Sequence, residues 1–440
     1  MTTTPAFEST PTAPKYQLGD PHNLSFLQSE SHELLDFGQR FPWPGGGASY
    51  LDDDGNPVPK EGLYTYESGR YAHAYALGSA LGLPSKERAL ELSAASLRGL
   101  TDGQLRDREH GGWYTRVAED GTPDPDKSCY AHSFVILGAS SALTVGVPGA
   151  KELLDEALDV YERYFWDDSE GMPLDTWDTA FTKPESYRGI NASMHSVEAF
   201  LAASDALGTP KYRMWAGRVI ERVIGFAADF DWKIPEHFDE QWNPLPNYNI
   251  DNKDDQFKPY GTTPGHSLEW ARLISQWAVS AHRHGEIDDD RLHWAIESAQ
   301  RLFLTAVANG WNADGGTGLV YTIDWDGTPV VRDRMHWTLA EGINTASYLA
   351  RLSTPSGPAA PETFSGWYAT FWQYVDEHMI DHDKGSWFHQ LDADNRVIGT
   401  VWPGKPDIYH ALQATLIPTI DDPDLLGLSI LPAIIAKRSV

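Results

Sequence analysis

The chain has 440 residues, 41% of them hydrophobic, and carries 63 acidic against 34 basic side chains, for a formal net charge of −29. Such a field repels phosphate backbones and anionic membranes, which excludes nucleic-acid and lipid-surface partners and points to a neutral small molecule or an anion gripped by a local arginine. A single cysteine, Cys129, excludes an intrachain disulfide and a cysteine-built zinc site.

In chain order, the opening MTTTPAFESTPTAPKYQ has no basic stretch leading into an apolar one, and no window approaches the roughly 18 apolar residues that span a bilayer. The chain is therefore expected to be cytoplasmic, as a monomer or homodimer. Residues 1–20 read as a flexible segment, and 21–440 as one domain, because no linker interrupts them. Apolar spacing predicts twelve helices, at 24–39, 70–82, 86–101, 129–143, 149–165, 190–206, 210–227, 266–283, 288–308, 335–352, 361–379 and 406–417. Leu153, Ala157, Val160, Tyr161 and Tyr164 form one such stripe.

The links alternate in length. Short turns such as LGLPSK, TVGVPG, LGTP and HGEID follow the even-numbered helices, and long Gly-, Trp-, Asp- and Pro-rich links follow the odd-numbered ones. Three long links read as β-hairpins, GGWYTRVAEDGTPDPD, GLVYTIDWDGTPVV and GSWFHQLDADNRVIGT. Strict alternation means helical hairpins whose long loops gather at one end, where function concentrates. The predicted fold is all-α, an (α/α)6 barrel with long loops and short β-hairpins gathered at one end. A solenoid of helical hairpins is the rival, disfavoured because the sequence shows no fixed period.

Each even-numbered helix carries polar groups in its first turns, beside the long loops. In order these are Arg70 and His73, Tyr130 and His132, Asn191 and His195, His266 and Glu269, His336 and Glu341, and Asp407 and His410. If these helices line the barrel, the groups converge on one cavity. A helix N-terminus disfavours the imidazolium, so a histidine there stays neutral near physiological pH and can accept a proton. Aldose–ketose isomerisation needs such a group beside C1 and C2 of the sugar. His73, His237, His293, His378 and His382 read as structural hydrogen-bonding residues, and His282 and His284 as partners of a helix C-terminus. His195, His266 and His410 favour function, while His132 and His336 stand between the two readings.

Two H-x-x-E pairs, His195/Glu198 and His266/Glu269, place a histidine and a carboxylate on one helix face and could chelate a divalent ion. No H-x-x-x-H or D-x-D-x-D-G pattern accompanies them, so neither metal nor cofactor is expected. There is no G-x-S-x-G, P-loop or G-x-G-x-x-G in a strand-to-helix context. Paired acids for glycoside hydrolysis, drawn from Glu269, Glu341 and several Asp, remain an alternative on such a barrel.

The segments YRGINASMHSVEAFLAASDAL, PYGTTPGHSLEWARL, RMHWTLAEGI and GSWFHQLDADN…WPGKPDIYHALQATLIP, with HGGWY and YAHSF, run in order from about residue 60 to 418. In them the chain resembles the N-acylglucosamine 2-epimerase superfamily, and within it the mannose isomerase branch. The resemblance implies cofactor-free conversion of a monosaccharide, D-mannose to D-fructose or D-lyxose to D-xylulose, through an enediol. It also implies roles: His266 and His410 as the acid–base pair and His195 as the third histidine near the sugar. Arg70, Tyr130, Asn191, Glu269, His336 and Glu341 would bind substrate, and Trp337 and Trp387 would wall the ring. Sugar 2-epimerases and sulfoquinovose isomerases belong to the same superfamily. A sulfonate would need Arg70, Lys183, Arg188 or Arg334 to receive it.

Overall fold

The computed structural model describes residues 13–438, and among them thirteen α-helices. Residues 1–12, most of the segment expected to be flexible, lie outside the described residues. Pro14–Tyr16 form a short turn whose Tyr16 is buried and donates a hydrogen bond to Asp376.

The even-numbered helices are α2 (Thr65–Leu81), α4 (Cys129–Thr144), α6 (Ile190–Leu207), α8 (Pro264–Arg283), α10 (His336–Leu352) and α12 (Tyr409–Leu416). They are buried on nearly every side, their polar residues included. Each packs against the next, and α12 returns to α2, closing an inner ring. Around it stand α1 (Pro21–Gly38), α3 (Lys86–Thr101), α5 (Ala150–Val160), α7 (Pro210–Asp229), α9 (Asp289–Gly310) and α11 (Pro361–Tyr374). In α5 the reason for the outer place is plain. Leu153, Leu154, Ala157 and Leu158 turn inward, while Lys151, Glu152 and Asp155 do not. The fold is the (α/α)6 barrel, closed rather than an open solenoid.

Two helix starts and one added helix bear on the site and core. α2 begins at Thr65, five residues early, and α12 begins at Tyr409, because GKPDI before it is not helical. The thirteenth helix, α13 (Ile430–Arg438), was not expected. It packs against α2, α4 and α12 and adds Leu431 and Ile434 to the core.

The six long links join edge to edge into a belt around one end of the barrel. Residues 63–64 pair with 116–117, 126–128 with 176–178, 188–189 with 237–238, and 334–335 with 390–391. A bridge between Thr262 and Ile323 and a hydrogen bond from Lys405 to Leu51 complete the circle. The three expected hairpins form, at Val117–Pro123, Ile323–Pro329 and Leu391–Val397, and two more of the same kind stand at Leu51–Pro57 and Phe238–Pro244. In the two extra hairpins, and in that at Leu391, an aspartate after the first bridge residue accepts two backbone N–H groups. These are Asp52, Asp239 and Asp392. A short apolar-plus-Asp stretch thus recurs in three of the links, without a fixed period because the links differ in length.

Candidate active site

The first turns of the inner helices face a cavity under this belt. His266, third residue of α8, directs Nδ1 to Glu236 Oε2 at 2.8 Å, and the second Glu236 oxygen accepts the Thr263 backbone N–H. A carboxylate can only accept here, so the neutral ring carries its proton on Nδ1 and leaves the Nε2 lone pair free. Placement of this ring depends on a close helix approach: a Cβ on Gly265 would come within 2.4 Å of Thr338 on α10. The indole of Trp337 lies 5.0 Å from the His266 ring and 6.0 Å from that of His410.

His410, second residue of α12, repeats the arrangement, with Nδ1 donating to Glu341 Oε1 at 3.1 Å. Burial, and then the positive charge of Arg70, hold its imidazolium well below the usual histidine range. His195, on α6, lies with Nδ1 3.5 Å from Glu198 and 3.9 Å from Glu269, and its ring meets Tyr130 edge-on. Burial pushes Glu198 upward, but the His195 contact and Arg272 outweigh it and keep Glu198 below the ordinary carboxylate value. Glu269 is raised well above that value, by burial first and by the neighbouring Glu341 next.

Arg70 donates to Asp407 at 2.8 Å and to the Tyr130 hydroxyl at 2.9 Å, with its guanidinium over the rings of Phe134 and Tyr409. Burial works against the Asp407 anion, yet Arg70 holds it below its ordinary value. The pair is thus neutral overall. His336, first residue of α10, stacks on His389 with ring centroids 3.7 Å apart, and neither of its ring nitrogens has a protein partner. Phe257 and Trp402, from two belt loops, meet edge to face at 5.5 Å over the cavity.

Arg70, Tyr130, Asn191, His195, His266, Glu269, His336, Trp337 and His410 all line this one cavity. Glu341 stands behind His410 rather than in the wall, held by Arg272. Trp387 does not belong. It is fully buried against Trp372, and its Nε1 donates to Glu30 at 2.8 Å on the α1 side. The aromatic beside it in sequence that matters is two residues on, His389. His132 is likewise structural, accepting the Trp113 backbone N–H at 3.2 Å.

His73 contacts Ser141, His237 spans Tyr187 and Pro259, and His284 contacts the Ser280 carbonyl near the end of α8. The H-x-x-E pairing at His266 is not made, since the loop residue Glu236 takes Glu269's expected place. Arg334 is buried on Asp314, and Arg188 donates to backbone carbonyls, so neither reaches the cavity, and Lys183 lines an adjoining groove that shares Tyr130, Asn191 and Phe257 with it. Glu236, His389, Phe257 and Trp402 carry no spacing signal, and Arg272 was missed. They are set by loop paths, except Arg272, which is hidden one turn after Glu269 on the same helix.

One consequence is directly measurable. As pH falls through 6.5, the His410 ring should remain neutral, its resonances moving only well below that value, whereas an exposed histidine titrates there. Two-dimensional NMR of ring-labelled protein, assigned with His410→Gln, reads this, and a midpoint at or above 6.5 would contradict the environment described.

The model of the family described as N-acylglucosamine 2-epimerase matches residues 46–414. A protein named D-mannose isomerase from Thermobifida fusca is 42% identical over 411 residues, covering 92% of this chain and 96% of its own. A second of that name, from Pseudomonas cannabina pv. alisalensis, is 38% identical, covering 92% and 94%. A solved structure titled as that of D-mannose isomerase superposes with a TM-score of 0.80 at 26% identity, covering 94% of this chain and 99% of the other.

Proposed function

This chain belongs to the N-acylglucosamine 2-epimerase family and is an aldose–ketose isomerase, and from that premise we propose that its substrate is D-mannose, converted to D-fructose without a cofactor. The observation that carries the reading is the pair of imidazoles, His266 and His410, that face one cavity while a carboxylate fixes the Nδ1 of each. Each therefore presents a free Nε2 to the sugar.

Isomerisation removes the C2 proton to give an enediol, returns a proton to C1, and shifts the hydroxyl proton from O2 to O1. A neutral imidazole takes the C2 proton, and the second ring serves the oxygens, with His195 supporting the ring-opened sugar. Arg70, Tyr130, Asn191, Glu269 and His336 supply donors and acceptors for the hydroxyls, and Trp337 offers an apolar face to the sugar ring. Phe257 and Trp402 stand over the cavity. Because Asp407 neutralises Arg70, the cavity wall favours an uncharged sugar over a sulfonate.

The test is incubation with mannose, glucose, lyxose and sulfoquinovose in deuterated water, read by NMR. Fructose labelled at C1 should form from mannose, with xylulose as the lyxose product. Mannose that yields neither ketose nor epimer would remove the reading.

A further inference from the structure

Three helices of the inner ring meet on one guanidinium beneath the cavity. Arg272 of α8 is buried, and its Nε donates to Glu341 Oε2 of α10 at 2.6 Å. Its Nη2 lies 3.6 Å from Glu198 Oε1 of α6 and 3.6 Å from Glu269 Oε1 of its own helix. Each carboxylate in turn faces an imidazole: Glu341 accepts from His410, and Glu198 and Glu269 flank His195. Three carboxylates this close and this buried repel one another, and a cation among them is needed to keep more than one ionised.

The same atoms have a second property. His195, Glu198 and Glu269 bring one ligand atom each within 4.8 Å of one another, and so do Glu269, Glu341 and His410. Imidazole with carboxylate is a donor set that zinc and similar ions accept. Arg272 contacts a carboxylate of both groups.

We propose that Arg272 is a positioning residue of the reaction, a fixed cation standing where a divalent ion would otherwise bind, which keeps Glu198 and Glu341 ionised so that they orient His195 and His410. The inference rests on the acid–base reading of those histidines given above. Around Arg272 the charged and titratable groups are Glu198 on α6, Glu269 on α8, Glu341 and Tyr348 on α10, Tyr409 on α12 and His73 on α2. Glu341 stays above the ordinary carboxylate value, raised by burial first, and Arg272 is the strongest influence limiting that rise. Without the guanidinium, Glu341 takes up a proton. A carboxylic acid there can donate to Nδ1, so the ring moves its own proton to Nε2 and loses the lone pair that faces the sugar.

The experiment compares Arg272→Met with Arg272→Lys in the full chain. For Arg272→Met, kcat on mannose should fall roughly 10- to 100-fold with KM little changed, the usual range for a lost supporting partner. The acid limb of its kcat profile should move up by about one unit or more. Calorimetric titration with zinc chloride should find one site in this variant and none in the wild type. Arg272→Lys keeps the charge and should keep the acid limb. A folded Arg272→Met with wild-type kcat and acid limb would overturn the proposal, as would zinc bound equally by both proteins. Should Arg272→Met not fold, a displaced acid limb in Arg272→Lys would overturn it. Failure of the acid–base reading looks different, because His410→Ala would then stay active, whereas failure of this inference alone leaves His410→Ala inactive.

Discussion

His410→Ala and His266→Ala should each lower kcat on mannose by about 100-fold or more, the range for a lost general acid or base. The two rings come from the helices that flank α10, and each is held alike, Nδ1 to a carboxylate and Nε2 to the cavity. Removing one ring leaves the other able to serve only one end of the proton exchange, so neither compensates. His410→Gln separates orientation from proton transfer. A glutamine amide can still donate to Glu341 but cannot accept a proton at neutral pH, and its kcat should fall as far as that of the alanine variant. Steady-state kinetics with circular dichroism as a fold control decides it. A rate near wild type in either alanine variant would refute the roles, and disaccharide cleavage surviving His410→Ala would instead favour the glycosidase alternative.

Trp387→Ala should cost about 3–5 kcal/mol of stability, the usual loss for truncating a fully buried large aromatic, while leaving the KM for mannose unchanged in the folded fraction. Its indole packs edge-on against Trp372 and donates to Glu30. Burial raises Glu30 to about 7, and the Trp387 bond works against that rise by stabilising the anion. A group with a raised folded pKa contributes stability that is full below its unfolded value and lost as pH rises through the folded one. Above about pH 7 Glu30 is an anion that needs its donor, so the loss in Trp387→Ala should be larger at pH 8 than at pH 5. Urea unfolding at the two pH values measures it. Trp337→Ala is the counterpart, raising KM with a small stability cost because that indole is only half-buried beside the two imidazoles. A raised KM in Trp387→Ala at full stability would return Trp387 to the sugar site.

The barrel, and the end of it where the long loops and the polar first turns gather, were legible in the sequence because both follow from local rules. Helical periodicity depends on residues three and four apart, and link length decides which helices are neighbours and at which end the long loops gather. A histidine in the first turns of five successive even-numbered helices, from α4 to α12, therefore pointed at one end. Whether each reached the cavity was a matter of depth and register, and so His132 turned to a backbone amide while His195 did not.

What only the tertiary structure decided is the partner of each buried polar group. Glu236 reaches His266 across 30 residues, and Glu341 reaches both His410 and Arg272 across 69. His389 lies on His336 because strand 390–391 pairs with 334–335. Trp387, two residues earlier on that segment, is carried into the core instead. A buried charge must find its counter-charge wherever the closed ring brings one, and ring closure is a property of all six helical pairs at once, which no stretch of sequence states.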